Sequence, residues 1–193
     1  MTAIPVLGPN VPHRGNAPLR AFGRFVLALM RFRVEGNLPN VPKMVIAVAP
    51  HTSNWDFVLG AAVMFATDLR LEFLAKHTLF WRPFGSLMRW MGGIPVDRAS
   101  AHGLVGEAVA AFTAVPSRVL AITPEGTRKK VRRYKSGFLH IARGAGVPVV
   151  LASLDWGRHV VVFGPEFETT GDCEADITKI EAHFADVRGK RAR

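Results

Sequence analysis

Short apolar runs recur along this chain, separated by longer segments of helical composition, and that alternation limits the fold more than any other feature. Met44–Ala49, Leu71–Ala75, Val119–Thr123, Val147–Ala152 and Val160–Phe163 read as buried strands, and Ile94–Arg98 reads as an extended segment that Pro95 assigns to a sheet edge. Helices are predicted over 56–66, 83–91, 100–113 and 138–143, with a last one opened by Asp172 and running to about residue 187. Strands alternating with helices predict an α/β layered domain, with a mixed, largely parallel sheet flanked by helices. No composition shift, tandem repeat or low-complexity tract divides the 193 residues, and 49% hydrophobic content supports one sizeable core. A single domain is therefore expected over 19–187, preceded by a Pro- and Gly-rich irregular arm over 1–18. A basic tail over 188–193, expected to be disordered, follows it.

In open α/β sheets, ligands gather beyond the carboxyl ends of the strands, so the turns that leave the apolar runs are where chemistry is expected. The first such turn is Pro50-His51-Thr52-Ser53-Asn54-Trp55-Asp56, a junction from strand to helix. An Asp56 carboxylate bonded to one ring nitrogen of His51 would fix the tautomer and leave the other nitrogen free to take a proton, which is a general base with its orienting partner. The same two residues would also serve as a solvated histidine and a first-turn acid favourable to the helix dipole, and spacing alone does not separate the readings. The second turn is Pro124-Glu125-Gly126-Thr127-Arg128. Gly126 lets backbone approach a ligand and Arg128 offers a planar fork matched to phosphate oxygens, so this turn reads as an anion clamp. Lys129, Lys130, Arg132, Arg133 and Lys135 extend it to six basic residues in eight positions, a run that a solvated loop would also explain.

The net charge of +10 predicts attraction to polyanions such as nucleic acid, anionic lipid or phosphorylated ligands. With one tyrosine, and without helix-turn-helix or zinc-finger spacings, no nucleic-acid partner is expected. A basic amphipathic helix is predicted over 19–33, with Phe22, Phe25, Val26, Leu29 and Met30 in one sector and Arg20, Arg24 and Arg31 opposite. Such a helix either packs on the core or lies in a membrane interface. Charges interrupt every apolar segment before it reaches 18 residues, and the N-terminus does not read as a signal peptide. The expectation is a cytoplasmic protein peripherally associated with the inner face of the membrane through Leu19–Phe32 and the basic loop. A single cysteine, Cys173, excludes an intrachain disulfide and any multi-cysteine metal site.

Four stretches in this order, Pro50–Asp56, Gly92–Arg98, Pro124–Arg128 and Val147–Val149, resemble the four blocks of the glycerolipid acyltransferases, typified by lysophosphatidic acid (1-acylglycerol-3-phosphate) acyltransferases. The resemblance covers roughly residues 40–155 and extends to Lys135 and Gly137. It implies transfer of a fatty acyl group from a thioester, acyl-CoA or acyl carrier protein, to a hydroxyl of a lysophospholipid or other glycerolipid-like acceptor. By position, His51 and Asp56 of the HxxxxD block would form the catalytic pair, with no acyl-enzyme. Arg98, Glu125, Gly126, Thr127 and Arg128 would bind the acceptor, Gly126 and Thr127 through backbone N–H groups, with Lys129, Lys130 and Lys135 as further phosphate or donor contacts. Pro148 would be structural, near the acyl channel. No cofactor and no metal is implied: a thioester is already reactive, and general-base catalysis contributes about 10²- to 10⁴-fold. Only about 50 residues precede the histidine block, and Trp55 and Asp97 are bulkier or more charged than is usual in their blocks. Both departures point to a small branch without transmembrane segments and leave the acceptor open. The alternative is a basic peripheral membrane- or nucleic-acid-binding module without catalysis.

Overall fold

A computed structural model describes residues 4–96 and 101–191, so the extended segment's Asp97 and Arg98 lie outside the described residues. Among the described residues, strands β1 (Arg33–Gly36), β2 (Lys43–Ala49), β3 (Glu72–Lys76), β4 (Gly93–Val96), β5 (Arg118–Ile122), β6 (Val149–Asp155) and β7 (Val160–Phe167) form one sheet. Its order is β1-β7-β6-β2-β5-β3-β4. β2 lies at the centre, parallel to both neighbours, with Ala47 opposite Ile122 of β5 and Leu151 of β6. The β6–β7 pair is antiparallel because a tight turn joins the two strands, which makes the sheet mixed but largely parallel. Pro95 sits on the edge strand β4, where a missing N–H costs no ladder bond.

The helices are α1 (Ala17–Leu29), α2 (Trp55–Ala66), α3 (Phe84–Trp90), α4 (Ala101–Thr113), α5 (Gly137–Ala145) and α6 (Cys173–Phe184). Side chains of a strand point alternately to the two faces, and here both faces are covered, so β2 is apolar almost throughout. Met44 and Ile46 join the core under α2, whereas Val45, Ala47 and Ala49 join a second core with Phe112, Phe138, Ile141, Ile177 and Ile180 from α4, α5 and α6. The result is a three-layer α/β domain.

Three local expectations change. The edge strand β1 carries only one fully inward apolar residue, Val34, too little pattern to read in advance. Helix α1 starts at Ala17 because the Asn16 side chain accepts from Leu19 N and Pro18 sits in the first turn. Its core-facing residues are Gly23 and Leu27, while Phe22, Phe25 and Leu29 face outward. Gly23 permits this packing: a Cβ there would stand 2.4 Å from Ala66 N of α2. The tail is also not free over its described part. Trp156 N donates to Arg188 O (2.8 Å), and Arg191 N donates to the Thr52 hydroxyl (3.2 Å).

The arm is irregular but anchored. Asp68 accepts from the amides of Gly15 and Asn16, and Arg14 lies against the rings of both Phe65 and Trp90 while donating to Met91 O (2.9 Å). This arginine ties α2 to α3.

Candidate active site

β5, β2 and β6 are adjacent and parallel, so their carboxyl ends present three turns along one edge of the sheet. β2 delivers His51, β5 delivers Glu125 to Arg128, and β6 delivers Trp156. The two turns singled out from sequence therefore meet. His51 Nδ1 lies 3.3 Å from Asp56 Oδ2, and Arg128 Nε donates to His51 Nε2 at 3.1 Å. A donor on Nε2 requires a lone pair there, so the ring carries its proton on Nδ1, facing the carboxylate.

Asp56 is almost fully buried, with several donors around it. Thr52 N and Ser53 N donate to Oδ2 at 2.6 and 2.7 Å, and Trp156 Nε1 donates to Oδ1 at 2.8 Å. Burial works against the charged form, but hydrogen bonds from His51, Ser53, Thr52 and Trp156 outweigh it and hold the carboxyl below its ordinary range. Asp56 is thus a fixed anion at neutral pH.

Glu125 is completely shielded from solvent, and its Oε1 accepts the backbone N–H of His51 at 2.7 Å. That bond links the second turn to the first and sets the height of the imidazole. Gly126 adopts φ +64°, the left-handed region suited to glycine, and its amide closes the turn onto Thr123 O at 3.0 Å. Its N–H is engaged within the turn, whereas the resemblance implies a backbone donor to the acceptor there. Thr127 Oγ1 accepts from Lys129 N, which shapes the start of the basic loop. Lys135 returns to the same turn: its amide bonds Pro124 O, and its side chain lies over Gly126. Lys129 and Lys130 are exposed on the loop beyond. Arg133 is diverted to α6, where it pairs with Glu174 and Glu181. Arg98 lies outside the described residues. Trp156 carries no motif signature, and the only sequence signal is an indole directly after a buried strand.

Behind His51, Asp56 and Arg128 a cavity of about 190 Å³ extends between α2 and the sheet, lined by Gly60, Met64, Ile46, Ala121, Leu154 and Phe163 among others. Apolar cavities of roughly 150 Å³ stay dry and take benzene, so this one has the size and chemistry to take hydrocarbon. The site is thus an imidazole oriented by a buried carboxylate, a guanidinium beside it, and an apolar chamber behind both. That arrangement suits proton abstraction from a hydroxyl on an amphiphile.

Residues 31–154 match the Acyltransferase family. Over 114 residues the chain is 32% identical to the 1-acyl-sn-glycerol-3-phosphate acyltransferase of Salmonella typhimurium, covering 54% of this chain and 44% of that protein. It is 30% identical over 146 residues to the Streptococcus pneumoniae protein of the same description, covering 70% of this chain and 54% of that one. The chain thus spans about half the length of the curated relatives it matches. The crystal structure of the 1-acyl-sn-glycerophosphate (LPA) acyltransferase from Thermotoga maritima superposes with a TM-score of 0.59 at 18% identity, over 90% of this chain and 80% of that one. At that identity the likeness speaks for the fold.

Proposed function

The chain belongs to the Acyltransferase family, and from that premise we propose that it moves a fatty acyl group from a thioester donor, acyl-CoA or acyl carrier protein, to a hydroxyl of a lysophospholipid or related glycerolipid acceptor. The observation that carries the proposal is the His51 ring, held by Asp56 on one nitrogen and met by Arg128 on the other, at the mouth of an apolar cavity. The relatives' description as 1-acyl-sn-glycerol-3-phosphate acyltransferases favours a phosphorylated acceptor. Its phosphate would draw the Arg128 guanidinium off Nε2, with Lys135 at the same turn and Lys129 and Lys130 on the loop adding charge. Nε2 then takes the proton of the acceptor hydroxyl. The oxygen attacks the thioester carbonyl, the C–O ester bond forms, and the C–S bond breaks. The departing thiolate recovers the proton from the imidazolium, and no group on the protein becomes acylated. The acyl chain occupies the cavity under α2. Glu125 and the Gly126 turn hold the two halves of the site at a fixed distance, and no cofactor takes part.

Donor and acceptor are both amphiphiles, and the molecule offers a matching surface. Phe22, Phe25 and Leu29 of α1, Trp55 at the start of α2, and Trp81, Leu87 and Trp90 around α3 are exposed. Interspersed arginines at 20, 24, 82 and 89 make this an aromatic and cationic face suited to the head-group layer of an anionic bilayer, on its cytoplasmic side. No described helix is long and apolar enough to cross a membrane, so contact would be made by this face.

The test is thiol release from acyl-CoA with 1-acylglycerol 3-phosphate as acceptor. His51→Ala removes the proton acceptor and should lower turnover by at least about 10²-fold while leaving the melting temperature unchanged. Undiminished turnover in that variant would exclude His51 as the base. Vesicle binding with no acyl transfer by the wild type would favour a non-catalytic membrane module.

A further inference from the structure

The carboxylate that orients His51 is itself held by a residue outside every motif. Strand β6 ends at Asp155, whose Oδ1 accepts from Gly157 N (2.9 Å) and Arg158 N (3.0 Å) and so closes the turn into β7. The turn sends Trp156 across to α2, where the indole N–H donates to Asp56 Oδ1. The two oxygens are thereby divided. Oδ1 belongs to the indole, and Oδ2 receives the amides of Thr52 and Ser53 and faces His51 Nδ1.

The indole is seated in turn by the end of the chain. The Phe32 ring meets it edge-on at 4.9 Å, the Lys190 ammonium lies 4.5 Å from its ring centroid, and its amide donates to Arg188 O. The same terminal segment reaches Thr52, one of the two residues whose amides hold Oδ2. Arg191 N donates to the Thr52 hydroxyl, and Gly189 lies so close that a Cβ would stand 2.4 Å from Thr52 Cγ2. One segment therefore touches the donors to both carboxylate oxygens.

We propose that Trp156, seated by Arg188–Arg191, is a positioning residue that fixes the rotation of the Asp56 carboxylate so that Oδ2 stays on His51 Nδ1. The inference rests on the reading of His51 as general base and adds the support that keeps that base in its working tautomer. Without the indole, the carboxylate can turn about its Cβ–Cγ bond and the imidazole loses a fixed partner for Nδ1–H.

Two variants of the 193-residue chain test this. Trp156→Phe keeps an aromatic ring against Phe32 and removes the donor with the rest of the pyrrole ring, and truncation after Val187 keeps the indole and removes the contacts of Arg188–Arg191 with it. Trp156→Phe should lower kcat about tenfold, in keeping with loss of a hydrogen bond to a charged group, with KM for the thioester changed less than twofold. Its His51 ¹⁵N spectrum should show a growing Nε2–H tautomer at neutral pH, whereas the wild type shows Nδ1–H. Truncation should move both readouts the same way by a smaller amount. Wild-type kcat and tautomer in Trp156→Phe would overturn the positioning role, as would a loss of kcat accounted for entirely by unfolded protein. A truncated chain with an unchanged His51 spectrum would overturn the part assigned to the tail. The spectrum does not depend on turnover: a wild type with the expected tautomer but no thiol release would defeat the proposed function and leave the positioning intact.

Discussion

Among the residues that line the cavity, Gly60 is a helical glycine that no close neighbour demands. It lies one helical turn beyond Asp56 in α2 and lines the cavity, and a Cβ built there would meet nothing within 4 Å. Glycine inside a helix costs about 0.5–1 kcal/mol relative to alanine, so the position carries a penalty that packing does not require. On the proposed reading this open space serves the acyl chain, with room to spare for a single methyl group. Gly60→Ala should therefore raise the melting temperature by about 2–4 °C per kcal/mol gained, with turnover nearly unchanged. Gly60→Leu fills the chamber, and turnover of a long-chain thioester should fall roughly tenfold or more while a short-chain thioester is spared, as steric exclusion from an apolar pocket predicts. Equal loss with both donors, measured by thiol release, would mean that the acyl chain does not pass this residue.

Helix α1 raises the same question for a whole element, because its two faces make opposite predictions. Leu27 is 1% exposed and sits in the core under α2, so Leu27→Ala should cost about 2–5 kcal/mol in thermal or urea unfolding. Phe25 and Leu29 are 64% and 73% exposed, so replacing both by Ser should leave stability within about 0.5 kcal/mol. The same double variant should reduce co-sedimentation with phosphatidylglycerol vesicles, and an undiminished bound fraction would remove α1 from the lipid contact. From sequence the amphipathic pattern was legible, but not which face was inward: Gly23 makes close approach to α2 possible, and a missing side chain leaves no hydrophobic signal. The strand alternation and the two turns were legible because each depends on residues near in sequence. That they converge followed from the rule for parallel sheets, since β2 and β5 pair side by side. Trp156 and the tail were not legible, because their role comes from contacts across about a hundred residues or more, with no local pattern to announce it.

For the whole molecule, the tail makes the active site depend on the far layer of the fold. Helix α6 covers the second face of the sheet and leads into Arg188–Arg191, and its first turn is fastened by Asp176, a fully buried carboxylate that receives Thr169 and Thr170. Burial opposes its charge, yet the threonine donors prevail, and like Asp56 it is held below the ordinary carboxyl range. A carboxyl with a lowered folded pKa contributes stability that is complete above the unfolded value of about 3.9 and is lost as pH falls through the folded value. Each carboxylate that takes up a proton also adds to a net charge already at +10, so self-repulsion acts in the same direction. The melting temperature should therefore be nearly flat down to about pH 5 and fall steeply below about pH 4. Asp176→Asn keeps the shape but not the charge, and should melt lower than wild type at pH 7 while the two curves converge in acid. Parallel curves across that range would show that ionised Asp176 does not hold α6. If they converge, the variant at neutral pH also reports on the coupling: a loosened α6 should release the tail and shift the His51 tautomer in the same direction as truncation after Val187.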